Sequence, residues 1–145
     1  ISGSLDGTLR LWNMSTYKCD KVIEEVYCYS TNSIYQLDKD RVIVGGENLF
    51  CIVNIVEKKI EYKLLLENAI KDESFYIFYC FLKLSDNNTI LCGCSVGLFF
   101  FYDMKTGEYK ITKNNHKETI NDLLLIDYST FLSCSSDNTI KVWNY

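Results

Sequence analysis

Apolar residues along the chain fall into short runs, and clusters of Gly, Asn, Asp and Ser separate them. Val, Ile, Tyr, Phe and Thr recur within the runs, the side chains that suit a pleated surface. Short runs between turn residues predict strands rather than helices. The pattern places strands at 1–4, 8–13 and 18–25, then at 33–37, 41–46, 49–55 and 59–65. It continues with 76–84, 89–95, 98–103 and 108–113, and ends with 118–126, 130–135 and 139–144. The stretch 59–74 is the least patterned, because Leu64-Leu65-Leu66 reads equally as the start of a helix.

The runs repeat. Residues 2–13 read Ser-Gly-Ser-Leu-Asp-Gly-Thr-Leu-Arg-Leu-Trp-Asn, and residues 133–144 read Ser-Cys-Ser-Ser-Asp-Asn-Thr-Ile-Lys-Val-Trp-Asn. Six of the twelve positions are identical without a gap, and most of the rest are conservative. A divergent copy at 93–103 places Tyr102 on Trp12 and Asp103 on Asn13; another at 45–54 needs one gap and ends at Asn54. The copies therefore end at 13, 54, 103 and 144, with spacings of 41, 49 and 41. Each has the same grammar: a strand ending in small residues, a tight polar turn, and a second strand closing on Asn or Asp. Asp6-Gly7 and Asp137-Asn138 are hairpin pairs, since Gly and Asn tolerate positive φ.

The first of these stretches resembles the end of a WD40 repeat, with Asn13 in place of the usual final Asp. The spacings also lie near the propeller-blade period of about 40–45 residues. The resemblance runs through nearly the whole chain, sharp in the first and last copies and worn in the middle two. It implies an all-β fold: a WD40-type β-propeller fragment made of four-stranded antiparallel blades, incomplete at both ends. Blades are expected at 1–27 (lacking its first strand), 28–66, 67–113 and 114–145 (lacking its last). The long 49-residue spacing points to an extended loop around 67–74.

The family also carries a Gly-His pair roughly two dozen residues or more before its Trp. Here Asn115-His116 stands 27 residues before Trp143, so the Gly is replaced and the His is in place. The resemblance then implies a structural polar network of His116, Asp137, Ser133 and Trp143, with Ser135 as an alternative hydroxyl. The corresponding positions of the second and third blades fall near Val26 and at Phe75, and neither blade contains a His. Those two blades are expected to be held by apolar packing alone.

Composition narrows the function. Apolar residues make up 48% and aromatic residues 14%, enough for a core and too many for a disordered chain. With no proline, the turns depend on Gly, Asn, Asp and Ser. A net charge of −4, with both signs mixed along the chain, opposes nucleic-acid binding and polybasic membrane anchoring. The longest apolar run, 75–82, is too short to span a bilayer. Seven cysteines, mostly inside apolar runs, read as buried free thiols in a reducing cytosol or nucleus. Cys92-Gly93-Cys94 has no second cysteine pair or spare His to complete a metal site, so no metal or cofactor is expected.

No nucleophile elbow or phosphate-cradling glycine loop occurs, so no catalytic residue is assigned and no enzyme activity is expected. WD40-like architecture implies a scaffold or adaptor that binds other proteins through blade loops. Tyr27, Tyr29, Glu47, Asn48, Phe75 and Tyr76 are the candidate partner contacts. The remaining blades are expected from the rest of a parent chain. The competing reading is a propeller that binds a small ligand or sugar, or a non-enzymatic domain appended to a catalytic parent.

Overall fold

The computed structural model describes residues 1–24, 26, 31–66, 76–113 and 115–145. They form two compact units, Ile1–Ile77 and Phe78–Tyr145. The first unit holds a three-stranded sheet of β1 (Ser2–Gly3), β2 (Leu9–Asn13) and β3 (Lys18–Ile23). Its second sheet has four strands: β4 (Ser33–Gln36), β5 (Arg41–Gly45), β6 (Leu49–Asn54) and β7 (Lys59–Leu65). The second unit holds β8 (Phe78–Lys83), β9 (Thr89–Cys94), β10 (Phe99–Asp103) and β11 (Tyr109–Thr112) in one sheet. Its other sheet has three strands, β12 (Ile120–Leu125), β13 (Thr130–Ser135) and β14 (Ile140–Asn144). In every sheet, chain order is spatial order, and every pairing is antiparallel.

Each strand lies inside a range that the apolar pattern marks. Leu64 and Leu65 belong to β7, so the helical alternative is not taken. The alternation Lys59-Ile60-Glu61-Tyr62 upstream carries the strand through them. Residues 67–75, where the long loop is expected, lie outside the described residues. Among the described residues no helix is long and apolar enough to cross a membrane.

The recurring Asn or Asp at the close of each copy has a physical cause. Asn13 Oδ1 accepts the N–H groups of Ser15 and Thr16 at 2.9 and 3.1 Å. Asn54 Oδ1 accepts those of Val56 and Glu57 at 3.0 and 2.9 Å, and Asp103 Oδ1 those of Lys105 and Thr106 at 2.7 and 3.2 Å. The side chain thus builds the turn that starts the last strand. Four residues after each, Tyr17, Lys58 and Gly107 are left-handed, with φ of 55°, 55° and 75°. The other repeated turn uses Gly7, Asn48, Gly97 and Asn138, with φ of 76°, 51°, 72° and 63°. Such a left-handed residue stands in the turns that join β1 to β2, β5 to β6, β9 to β10 and β13 to β14.

Within each unit, one face of each sheet packs on the other sheet. In the first unit the interface is aliphatic: Leu9, Val26, Val42, Val44, Leu49 and Val53 are buried together. In the second it is aromatic, with Phe99 edge-on to Phe131 at 5.5 Å and to Trp143 at 5.2 Å between ring centroids. The sheets approach closely at Gly93, where a Cβ would meet Cys80 Sγ at 2.6 Å and Ile120 Cγ2 at 2.7 Å. The outer faces of the two three-stranded sheets differ in kind. On β12–β14, Leu123, Phe131 and Trp143 point inward, and strand alternation turns Leu124, Leu132 and Val142 outward. Leu124 and Val142 are 61% and 65% exposed. On β1–β3, Leu9 and Leu11 point inward, and alternation puts Ser2, Arg10 and Trp12 outward.

Candidate functional site

The four polar residues implied by the family resemblance meet in the β12–β14 sheet. Trp143 Nε1–H donates to Ser133 Oγ at 2.7 Å. Ser133 Oγ lies 2.6 Å from His116 Nε2, and His116 Nδ1 lies 2.9 Å from Asp137 Oδ2. Ser133 takes the hydroxyl position; Ser135 instead accepts the N–H of Asp137 at 3.1 Å and donates to Glu118 O at 3.2 Å.

One proton assignment satisfies every atom. Thr139 Oγ1–H donates to Asp137, as do the backbone N–H groups of Lys117 and Thr139. These bonds hold the Asp137 carboxyl well below the usual carboxylate range, the Thr139 side-chain bond contributing most, so it is ionised. An ionised Asp137 accepts a hydrogen bond, so His116 carries its proton on Nδ1 and donates it there. Nε2 is then an acceptor, filled by the Ser133 hydroxyl, whose oxygen in turn accepts from Trp143. The opposite tautomer would set a lone pair against a carboxylate and strand the Ser133 proton.

Ser, His and Asp in this order match the atoms of a hydrolase triad. The surroundings do not suit that chemistry. Ser133 is 0% exposed, and its oxygen already accepts the indole N–H, so no acyl group reaches it. The network's polar groups satisfy one another inside the sheet.

The same position changes from sheet to sheet. In the first sheet Trp12 Nε1–H donates to Ser2 Oγ at 2.9 Å, and Asp6 Oδ1 accepts from the Thr8 N–H at 2.9 Å. Counting along the paired strands, Ser133 and Trp143 correspond to Val44 and Val53, and to Cys92 and Tyr102. The middle sheets are nevertheless not held by apolar packing alone. Asn48 Oδ1 accepts the Tyr76 N–H at 2.7 Å. The thiols of Cys51, Cys80 and Cys94 donate to the carbonyls of Val26, Ile120 and Leu98. A buried Cys thus both packs and donates.

Of the candidate partner contacts, Tyr27, Tyr29 and Phe75 lie outside the described residues. Tyr76 is only 4% exposed, so it faces the interior rather than a partner. Phe78, Cys80, Phe81 and Leu82, further along the same apolar stretch, are buried too, which aromatic character alone does not reveal. Asn48 is a positive-φ turn residue whose N–H, C=O and side chain bond to Tyr76 and Leu66. Glu47 is half-buried and forms a single backbone bridge with Ile77. Leu5 and Val96, in the blade loops but not among the six candidate contacts, are exposed at the tips of their turns, next to the left-handed Gly7 and Gly97. Among the described residues no group of His, Cys, Asp or Glu could hold a metal ion.

Comparisons with known proteins agree with this geometry. The family model "WD domain, G-beta repeat" matches residues 1–13 and 107–144, the first and last copies of the repeat. The computationally designed Ika4 protein shares the fold, with a TM-score of 0.72 at 19% identity over 98% of this chain and 82% of that one. Sheets of this kind define the molecule as all-β, with the antiparallel blades of a WD40-type β-propeller. The chain belongs to the WD40-repeat family. It is 22% identical to the WD repeat-containing protein 55 homolog of Dictyostelium discoideum, over 97% of this chain and 33% of that protein. It is 30% identical to Restriction of telomere capping protein 1 of Candida albicans, over 91% of this chain and 13% of that protein. The matched region is thus a third or less of these relatives' own length. WD40 repeats generally mediate binding to other proteins.

Proposed function

We propose that the chain is a docking scaffold for other proteins, with the turns β1–β2, β5–β6, β9–β10 and β13–β14 as its contact points and no chemistry of its own. One observation carries this reading. A left-handed residue closes that turn in all four sheets, and three of the four share the same backbone hydrogen bonds (the β5–β6 turn is a residue shorter), while the tip differs: Leu5-Asp6, Glu47, Val96 and Ser136-Asp137. A rigid frame with variable tips is built for recognition. The polar groups that resemble catalytic machinery are engaged in holding the frame. What is shared with Restriction of telomere capping protein 1 is 13% of its length, so that protein's role is not carried over to this chain.

A reducing compartment, cytosol or nucleus, suits the chain. Its described cysteines are free thiols, four of them buried.

The test is comparative capture followed by mass spectrometry, with Leu5→Glu and Val96→Glu against wild type. Tyr128→Glu, in the exposed turn that joins β12 and β13, is the control. Proteins lost with the first two variants and kept with the control support tip docking. Equal retention by all variants removes the tips from the contact surface.

A further inference from the structure

In three of the turns, the left-handed residue also holds the chain where it leaves for the next sheet. Gly7 O accepts the N–H of Val26 at 3.3 Å, Gly97 O that of His116 at 3.1 Å, and Asn48 O that of Leu66 at 2.9 Å. From these ties the chain runs on to the first strand of the next sheet. Ile34, Leu123 and Phe81 hold the same position in that strand, since they pair with Val44, Ser133 and Cys92. Ile34 comes eight residues after Val26 and Leu123 seven after His116, whereas Phe81 comes fifteen after Leu66. The third connection is thus longer by seven or eight residues, and the copy spacing of 49 exceeds 41 by the same eight.

Asn48 differs from its counterparts Gly7 and Gly97 in having a side chain, and that side chain grips the far end of the added length. Its Oδ1 accepts the Tyr76 N–H at 2.7 Å, and its own N–H donates to Tyr76 O at 2.6 Å. Glu47 beside it bridges to Ile77. Tyr76 is buried, so the chain returns to a fixed place. One residue therefore bonds both Leu66 and Tyr76, the two borders of the added stretch. Asn suits this position because it tolerates a φ of 51° and carries an acceptor. Gly offers the first property and lacks the second.

We propose that 67–74 is an insertion that the chain carries without needing it to fold, and that Asn48 is the clasp that closes it off. With both borders bonded to one residue, the return of the chain is fixed whatever the added residues are. The entropy of closing such a loop grows only slowly with its length. The sheet β4–β7 thus tolerates added chain at this one connection, because Asn48 stands where the other turns have Gly.

A double-mutant cycle between Asn48 and the insertion tests this by urea unfolding. Its members are the wild type, Asn48→Gly, a deletion of 67–74, and the two changes combined. Trp12 fluorescence in a Trp143→Phe background reads the first unit. Asn48→Gly keeps the left-handed backbone and removes only the side-chain acceptor. In the full chain it is expected to lower the unfolding midpoint and to speed amide exchange at Tyr76. Asn48→Asp retains an acceptor and is expected to restore both. In the deletion protein the loss from Asn48→Gly is expected to shrink. A loss as large without 67–74 as with it overturns the clasp, and so does an Asn48→Gly midpoint equal to that of the wild type. A Gly/Ser stretch of the same length in place of 67–74 is expected to leave the midpoint unchanged; a first unit that unfolds on this replacement overturns the proposal. If circular dichroism shows that the deletion protein does not fold, a Gly/Ser stretch twice as long takes its place. The loss from Asn48→Gly is then expected to grow, and one that stays the same overturns the clasp.

Discussion

Trp143 and Ser133 are joined by a hydrogen bond of 2.7 Å from the indole N–H to the hydroxyl, in a site where that oxygen is fully buried. Trp12 and Ser2 form the same bond at 2.9 Å, where both residues are exposed. Identical chemistry thus stands in two solvents, and burial decides its worth. Ser133→Ala strands the Trp143 N–H and the His116 Nε2, at about 1–3 kcal/mol for each buried group left unpaired. Ser2→Ala lets water replace the lost oxygen and is expected to change stability by no more than about 0.5 kcal/mol. Urea unfolding followed by fluorescence, in Trp12→Phe and Trp143→Phe backgrounds, reads the two sites separately. Equal effects at both would show that burial is not the deciding term.

Acid acts on the same network. The folded-state pKa of Asp137 is depressed below its ordinary value of 3.8. Its contribution is therefore fully present above that value and lost as pH falls through the folded pKa. The second unit is expected to lose stability as pH drops below about 4. Asp137→Asn should flatten this slope without abolishing it, since Asp86 and Asp127 are depressed in the same unit by their turn hydrogen bonds. Thermal melts across acidic pH check it; an unchanged slope in the variant would sink the assignment.

Gly97 and Gly107 are both left-handed, with φ of 72° and 75°. A Cβ on Gly97 would sit 2.3 Å from the carbonyl oxygen of His116, whereas one on Gly107 meets nothing within 4 Å. Gly107→Ala is expected to cost only the backbone term, about 1–2 kcal/mol. Gly97→Ala adds a clash with backbone at the foot of the His116 network and should cost clearly more. The difference between their denaturation midpoints measures the clash, and equal losses would argue against it.

Thiol accessibility gives a fourth check. Burial pushes the Cys80 thiol up to about 12 and raises Cys92 and Cys94 as well. Cys19 and Cys134 are only half-buried. Among the described cysteines, limited alkylation with mass mapping is expected to modify Cys19 and Cys134 first, and Cys92 only once the second unit unfolds. Early modification of Cys92 would mean that its sheet opens in the native state.

The strands were legible because each apolar run is bounded by residues that make turns for a local reason. Asn13, Asn54 and Asp103 organise their hairpins within three residues, so their signal survives in the worn copies. The His116 network was legible because its members keep fixed offsets in the repeat. Tyr76 was misjudged because exposure is a tertiary property. An aromatic ring after a polar stretch reads the same whether it faces solvent or, as here, the core. The role of Asn48 was hidden for the same reason, since its bond to Tyr76 spans 28 residues. The thiol bonds that supplement apolar packing in the middle sheets leave no trace in spacing at all.

Because chain neighbours are sheet neighbours, each sheet satisfies its hydrogen-bond ladder from one contiguous stretch of sequence. Its faces are another matter, since they are covered only by a different sheet. During synthesis, a newly emerged sheet therefore has its backbone paired while an apolar face stays bare until more chain arrives. For the second unit this is the Leu82 and Leu91 face of β8–β11, which waits for β12–β14 to be made. The interval between those two events, rather than the finished fold, is when the nascent protein is most open to sticking to the wrong surface.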